Sequence, residues 1–190
     1  KILEGHSGLV KGALELRCGG ILSWTDDSTL RLWSPEGEAR KTLEGHTSGV
    51  LGALELSSGD ILSWDWDGTL RLWSPEGEAS KTLEGHSSLV LGALELRSGD
   101  LLSWGMDGTH RLWSPEGEAR KILEGISGEV ELSSGEILSW RIDGALYLWS
   151  PEGGAHHTLR GHSGWVRGAL ELSGGDLLSW SSDGTLRLWS

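Results

Sequence analysis

Ser63-Trp64-Asp65-Trp66-Asp67-Gly68-Thr69-Leu70-Arg71-Leu72-Trp73-Ser74, followed by Pro75-Glu76-Gly77-Glu78, is the stretch that decides the fold. It reads as the end of one strand, a tight turn at Asp67-Gly68, and a second strand in which Leu70 and Leu72 alternate with polar Arg71. An Asp-Gly pair between alternating apolar residues is the strongest short-range hairpin signal, because Gly reaches positive φ without steric cost. Related copies occupy residues 23–34, 103–114, 139–150 and 179–190. A hairpin that recurs at near-constant spacing marks a repeat architecture.

Outward from this hairpin, Lys1-Ile2-Leu3-Glu4-Gly5-His6 returns at 41–46 and 81–86, and in altered form at 121–126 and 157–162. The repeats are therefore 1–40, 41–80, 81–120, 121–156 and 157–190. No Pro/Gly/Ser-rich linker separates them, so 1–190 reads as a single domain. The second repeat predicts four extended segments, at 50–56, 60–63, 69–73 and 79–83. Ser57-Ser58-Gly59, Asp67-Gly68 and Pro75-Glu76-Gly77 form the turns between them. Gly and Pro fall in these turns and not inside the strands. No stretch keeps a helical period over about ten residues.

Composition narrows the function classes. A chain of 190 residues can bury roughly 70% of its unfolded surface. Twelve Trp stand beside one Tyr and no Phe, a bias that follows from copying one unit. The net charge of −12 is spread over every repeat. It argues against nucleic acid or an anionic membrane as partner, since both need concentrated Lys and Arg. Cys18 is the sole cysteine, which rules out an internal disulfide and a cysteine-based zinc site. Apolar runs are a few residues long, so neither a membrane span nor a signal peptide is expected. The expected location is the cytoplasm.

Four strands per unit of about 40 residues is the pattern of a propeller blade. The Gly-His near each repeat start, the Asp-Gly turn and the Leu-Trp-Ser strand end resemble the WD-repeat β-propeller family, in its bacterial-type form with highly self-similar repeats. The family's closing Trp-Asp is Trp-Ser here, from Trp33-Ser34 to Trp189-Ser190. The resemblance implies an all-β propeller of five four-stranded blades. Each repeat would give the outer strand of one blade and the three inner strands of the next. Lys1-Ile2-Leu3 aligns with Lys41-Thr42-Leu43, so the N-terminal strand is expected to pair with the last blade and close the ring.

His46, Ser63, Asp67 and Trp73 invite comparison with a catalytic triad. The set recurs as His6, Ser23, Asp27, Trp33, as His86, Ser103, Asp107, Trp113, and as His162, Ser179, Asp183, Trp189. Several triads in one small domain make no chemical sense, and a triad is defined by geometry, not residue type. The resemblance implies instead a buried hydrogen-bonded tetrad in each blade. Repeat four keeps Ser139, Asp143 and Trp149 but has Ile126 at the His position. It is four residues shorter than its siblings between Glu124 and Ser139, and because an even-numbered deletion preserves alternation its inner strand is expected to survive in shortened form. This blade is expected to be the least stable, by about 1–3 kcal/mol for an unsatisfied polar group.

Other constellations are weaker. His156-His157 lacks a third metal ligand nearby. Glu15, Glu55, Glu95, Glu131 and Glu171 share one strand position and could ring a channel around a cation; pairing with Arg31, Arg71, Arg111 and Arg187, or plain solvation, is the competing reading. Trp24, Trp64, Trp104, Trp140 and Trp180 follow the tetrad Ser in every copy and read as packing between blades. No catalytic residue, metal or cofactor is expected.

Function is sought where copies diverge at equivalent loop positions. Before the turn Asp stand Thr25-Asp26, Asp65-Trp66, Gly105-Met106, Arg141-Ile142 and Ser181-Ser182. Three residues after the Gly-His stand Leu9, Gly49, Leu89 and Trp165. In propellers resembling this one both loops open on one face around the channel mouth. There Trp66, Trp165, Met106, Ile142, Leu9 and Leu89 would form an apolar patch rimmed by Asp26, Asp65 and Arg141, the composition of a protein-binding surface. Drift among recent copies is the competing explanation. The expected function is a non-enzymatic scaffold for a protein or peptide, with no nucleic acid or membrane partner. Two alternatives stand beside it. One is a small-ligand, carbohydrate-type receptor or enzyme at the channel mouth; the other is an architectural fragment or homo-oligomer.

Overall fold

Leu70 and Leu72 turn into the core while Arg71 stays half-buried, so the alternation read in the sequence is a real strand with one buried face. The structure, a computed structural model, describes residues 1–124, 126–150 and 154–190. Among them the chain forms five antiparallel sheets and no helix.

Blade one is β1 (Val10–Glu15), β2 (Ile21–Thr25), β3 (Leu30–Trp33) and β4 (Ala39–Leu43). Blade two is β5 (Val50–Glu55), β6 (Ile61–Asp65), β7 (Leu70–Trp73) and β8 (Ala79–Leu83). Blade three is β9 (Val90–Glu95), β10 (Leu101–Gly105), β11 (Thr109–Trp113) and β12 (Ala119–Glu124). Blade four is β13 (Ile126–Glu131), β14 (Ile137–Arg141), β15 (Ala145–Trp149) and β16 (Ala155–Arg160). Blade five is β17 (Val166–Glu171), β18 (Leu177–Ser181) and β19 (Leu186–Trp189). Strands within each blade follow one another in simple up-and-down order.

The core lies between blades. At the first joint Leu16, Leu22, Leu30, Leu32 and Leu43 of blade one meet Val50, Ala53, Ile61 and Trp73 of blade two. Each Leu, Ile or Val among them contributes roughly 1.5–3 kcal/mol when fully buried. The second joint repeats the pattern with Leu56, Leu62, Leu70, Leu72 and Leu83 against Val90, Ala93, Leu101 and Trp113. Gly12, Gly52, Gly92, Gly128 and Gly168 lie under the indoles of Trp24, Trp64, Trp104, Trp140 and Trp180, where an added Cβ would strike the ring. Trp24 Nε1–H also donates to the Leu51 carbonyl of the next blade at 3.3 Å.

A polar clamp accompanies each apolar joint. The backbone N–H of Arg17 donates to Glu55 at 2.8 Å, Ser57 to Glu95 at 2.6 Å, Arg97 to Glu131 at 2.8 Å and Ser133 to Glu171 at 2.6 Å. These glutamates therefore fasten neighbouring blades and are not paired with Arg71 or its equivalents. The reason is register. Arg71 lies level with Ser63, whereas Glu55 lies level with Ile61, nearer the opposite end of the sheet. The Arg31, Arg71, Arg111 and Arg187 guanidinium groups lie instead against Gly5, Gly45, Gly85 and Gly161.

One expectation needs correction, and one is not displayed by the structure. The deletion in repeat four falls in the loop and leaves the inner strand whole: β13 has six residues, as do β5 and β9. Ile126 pairs with Arg141 as Val50 pairs with Asp65, so it holds the valine position and not the His position. The missing residues correspond to His46-Thr47-Ser48-Gly49. Ring closure by the N-terminal strand is not seen either. Residues 1–6 form no strand, and β19 has no outer neighbour among the described residues. Lys1 instead bonds the Glu36 carbonyl and the Glu38 carboxylate of blade one.

Candidate functional site

The His-Ser-Trp networks sit inside the blades. In blade three His86 Nε2 lies 2.9 Å from Ser103 Oγ, Trp113 Nε1–H donates to the same Oγ at 2.9 Å, and His86 Nδ1 lies 3.1 Å from Asp107. Blade five repeats it: His162 contacts Ser179 at 2.8 Å and Asp183 at 3.0 Å, with Trp189 donating to Ser179 at 2.9 Å. Burial disfavours the Asp107 carboxylate, but N–H and O–H donors from Thr109, Ser87 and His86 outweigh it and hold the group well below the usual carboxylate range. Burial pushes the His86 imidazole down, with Asp107 opposing.

Blade one is looser. His6 Nε2 lies 2.6 Å from Ser23 Oγ, and Trp33 donates to that Oγ at 2.9 Å. Asp27 stands 3.9 Å from His6 Nδ1, which is buried without a hydrogen-bond partner among the described residues. The Asp27 carboxylate turns instead to the N–H groups of Ser7 and Thr29, at 2.9 and 3.0 Å.

Blade two corrects the sequence reading. The carboxylate facing His46 Nδ1, at 2.8 Å, belongs to Asp65 and not to Asp67. His46 Nε2 reaches Ser63 Oγ at 2.6 Å and Trp73 donates to it at 2.8 Å. Asp65, expected on an exposed rim, is fully buried and accepts the N–H groups of Asp67 and Thr69 at 3.1 and 3.0 Å. Asp67 is exposed and accepts a hydrogen bond from the Thr47 hydroxyl at 2.8 Å. The cause is position: Asp65 is the last residue of β6, at the buried place that Thr25 and Gly105 hold at the ends of β2 and β10.

Blade four keeps a reduced set. Trp149 Nε1–H donates to Ser139 Oγ at 2.6 Å, while Asp143 is exposed and accepts the local Ala145 N–H at 3.1 Å. His157 is exposed on β16, and the His156 side chain lies outside what the structure describes.

The divergent loop positions meet at the other candidate site. Asp26 N–H donates to the Leu9 carbonyl at 3.2 Å, Trp66 to Gly49 at 3.2 Å, Met106 to Leu89 at 2.9 Å, and Ser182 to Trp165 at 2.8 Å. Each bond joins the two variable positions of one blade at the end of its sheet. Trp66 is 49% exposed, Trp165 54% and Met106 68%; Leu9, Ile142 and Asp26 are also exposed, while Leu89 and Arg141 are half-buried. Arg167 lies 5.5 Å from the Trp165 ring, and Arg141 is tied to the Glu124 carbonyl at 2.5 Å.

A hollow on this face is not legible in the sequence. In blade two the turn Gly68 abuts the His86 and Ser88 carbonyls of the next blade. Gly108, its counterpart in blade three, meets nothing among the described residues, because the loop it would touch is the one deleted from blade four. The space is a hollow of about 400 Å³ lined by Gly108, Ile126, Ser127, Arg141, Ile142 and Asp143. Hollows near Leu16 and Pro75, and near Leu56 and Pro115, recur at equivalent places in the first two joints and belong to the architecture.

Comparisons with known proteins agree with this geometry. The WD40 family model, described as "WD domain, G-beta repeat", matches residues 37–74 and 153–190. No curated protein sequence matches the chain. The WD40 β-propeller domain of Doa1 is similar over 99% of this chain and 66% of its own, with 26% identity and a TM-score of 0.60. The computationally designed Ika8 protein is similar over 98% of this chain and 59% of its own, with 25% identity and a TM-score of 0.70. The chain thus spans less than two-thirds of the length of either structure. The repeated hairpin, the blade sheets and these matches support a WD-repeat β-propeller, with WD40 repeats matched at 37–74 and 153–190.

Proposed function

We propose that this chain is a non-enzymatic scaffold that binds a protein or peptide on the loop face carrying Trp66, Trp165, Met106, Ile142, Leu9 and Leu89. WD-repeat propellers commonly mediate protein interactions, and such surfaces follow from rigid blades that present variable loops. The carrying observation is the pairing of Leu9 with Asp26, Gly49 with Trp66, Leu89 with Met106 and Trp165 with Ser182 through backbone hydrogen bonds. It gathers the divergence between copies at one end of each blade, while the packed positions stay nearly constant. Exposed Trp at a site where other copies do without it is a typical anchor, contributing roughly 2 kcal/mol or more. Asp26 and Arg141 supply polar groups beside the apolar residues; Asp65 is withdrawn from that role. The hollow beside Ile142 offers a recess for an apolar side chain of the partner.

Against an enzyme stands the engagement of the serines. Ser63 Oγ is already occupied by His46 and the Trp73 N–H inside the blade.

The test is the double variant Trp66→Ser/Trp165→Ser. Proteins captured from a native extract by the unmodified chain are identified, purified and rebound to both forms. The expected result is lost binding with an unchanged melting temperature. Binding that survives in the variant removes the loop face from consideration.

A further inference from the structure

Blade four lacks a loop that its siblings hold in one fixed way. In blades one, three and five the N–H of Ser7, Ser87 and Ser163 donates to the turn aspartate, Asp27, Asp107 and Asp183, at 2.9 Å. Two residues further on, the carbonyls of Leu9, Leu89 and Trp165 accept the N–H groups of Asp26, Met106 and Ser182 at 3.2, 2.9 and 2.8 Å. The loop is thus gripped by one carboxylate and one N–H on adjacent residues of the turn. Its other carbonyls face the preceding blade: those of His86 and Ser88 abut Gly68, and those of His162 and Gly164 abut Gly144.

Blade four keeps the gripping residues without the loop. Ile142 and Asp143 stand where Met106 and Asp107 stand in blade three, and both line the hollow opposite Gly108. Asp143 retains the bond from the Ala145 N–H at 3.1 Å, counterpart of Thr109 to Asp107 at 2.9 Å. The residues equivalent to Ser87 and Leu89 are among the four deleted. Two neighbours define what side chains the space accepts. An added Cβ on Gly49, at the Leu89 position of blade two, would lie 3.0 Å from the Asp26 Cα of blade one. The same place in the hollow therefore faces Met106 of blade three, which is exposed. An added Cβ on Gly105 would lie 2.6 Å from His86 Nδ1. Arg141 has a side chain at that position, so a residue in the His86 place must be small.

We infer that the hollow between blades three and four binds a short segment of a partner protein, which takes the place of the missing loop. Its register follows from the sibling blades. A small residue comes first. The next residue donates its N–H to Asp143. The residue two further on gives its carbonyl to the Ile142 N–H and sets an apolar side chain against Met106. A carboxylate and an N–H at this spacing complement the N–H and C=O of one polypeptide, and Ile126 and Ile142 add apolar wall. Main-chain bonds of this kind give affinity, and the side-chain places give specificity. An acidic rim disfavours a phosphate-bearing ligand. The inference deepens the loop-face reading and rests on it for the source of the segment, a protein partner.

The probe is the blade-three loop as a free peptide with blocked ends, Gly85–Val90 carrying His86→Ala. Titrated into the isotope-labelled chain, it is expected to shift the NMR amide signals of Ile142 and Gly108 saturably. Methylating the peptide nitrogen at the Ser87 position removes the donor to Asp143 and should weaken binding about tenfold. Asp143→Ala in the chain changes an exposed residue and should weaken the unmethylated peptide by a similar factor. The methylated peptide should then lose nothing further, since both changes remove one bond. A chain with Ala-Ser-Ser-Leu inserted between residues 125 and 126 carries its own loop and should not bind the peptide. No saturable shift at Ile142 overturns the inference, and so does binding indifferent to methylation or to Asp143→Ala. The Trp66→Ser/Trp165→Ser variant separates the two readings: its hollow is intact, so it should still bind the peptide. Loss of the peptide there places it on the tryptophans and overturns the hollow, whereas failure of the peptide alone leaves the loop face to its own test.

Discussion

His110 Nε2 lies 2.8 Å from Glu129 Oε2 across the joint between blades three and four. By register His110 takes the place of Leu30, Leu70, Leu146 and Leu186, since it pairs with Trp104 as Leu30 pairs with Trp24. Glu129 takes the place of Ala53, since it pairs with Ser139 as Ala53 pairs with Ser63. The two changes are coupled in space although 19 residues apart in sequence. The atoms are close but poorly aligned, and among the described residues neither Glu129 Oε2 nor His110 Nδ1 has a hydrogen-bond partner. The apolar cluster here is correspondingly small, with Leu96, Leu102 and Leu112 of blade three against Ile137.

Replacing such a buried pair with apolar residues of the sibling blades is expected to stabilise the fold. The double change His110→Leu/Glu129→Ala should raise the unfolding free energy by about 1–3 kcal/mol. Glu129→Ala alone should lower it by about 1–3 kcal/mol, by leaving His110 without its neighbour. Chemical denaturation measures both. A double variant weaker than the parent would show that the pair is a net stabiliser.

Asp65 and Asp67 are two residues apart and differ in consequence. Asp65→Ala strands His46 Nδ1 in a buried site and is expected to cost about 2–3 kcal/mol. Asp67→Ala touches an exposed contact with Thr47 and should stay within about 0.5 kcal/mol. Equal losses for the two would restore Asp67 to the network.

The fold was legible because its signal is repeated: one hairpin with an Asp-Gly turn and one Leu-x-Leu-Trp strand recur through the chain. The Asp65 network was not, because two aspartates flank Trp66 and only the folded strand shows that the one ending β6 points inward. Ile126 misled because a four-residue gap can be slid along the sequence, and only its pairing with Arg141 fixes it in the strand. The His110–Glu129 pair did leave a trace, a polar residue in a leucine column and another in an alanine column. Nothing in the sequence says that those columns face each other. The hollow by Gly108 was hidden for the same reason: it depends on a contact between neighbouring blades.

Acid is expected to destabilise the chain in two stages. Burial lowers the His6 and His86 imidazoles, so the folded state resists protonation that the unfolded chain accepts below about pH 6.5. Their contribution is complete above that pH and declines as pH falls through it. The carboxylates of Asp27 and Asp107 are held low by hydrogen bonds despite opposing desolvation. Their contribution is complete above about pH 4 and is lost as pH falls further. Melting temperature from pH 8 to pH 3 should therefore fall gently below pH 6.5 and steeply below pH 4. A rise between pH 7 and pH 5 contradicts this assignment.

The turn at the loop end of each blade offers the sharpest internal comparison. Ser28 has φ 71°, the one non-glycine at positive φ among the described residues, where Gly68 and Gly108 have φ 87° and 74°. A side chain in this left-handed region costs roughly 1–2 kcal/mol, partly offset by the smaller entropy that a non-glycine loses on folding. Ser28→Gly should thus stabilise by at most about 1 kcal/mol. Gly108→Ser adds a Cβ that meets no neighbour, so it should cost only that backbone strain, about 1 kcal/mol. Gly68→Ser adds the same strain and also drives the Cβ into the His86 and Ser88 carbonyls of blade three. Overpacking against backbone brings a further penalty of about 1–3 kcal/mol, so this variant should be the weakest. The same denaturant series ranks all three against the parent. If Gly68→Ser and Gly108→Ser lose equally, the turn of blade two does not press on the loop of blade three in solution, and the hollow beside Gly108 loses its stated origin.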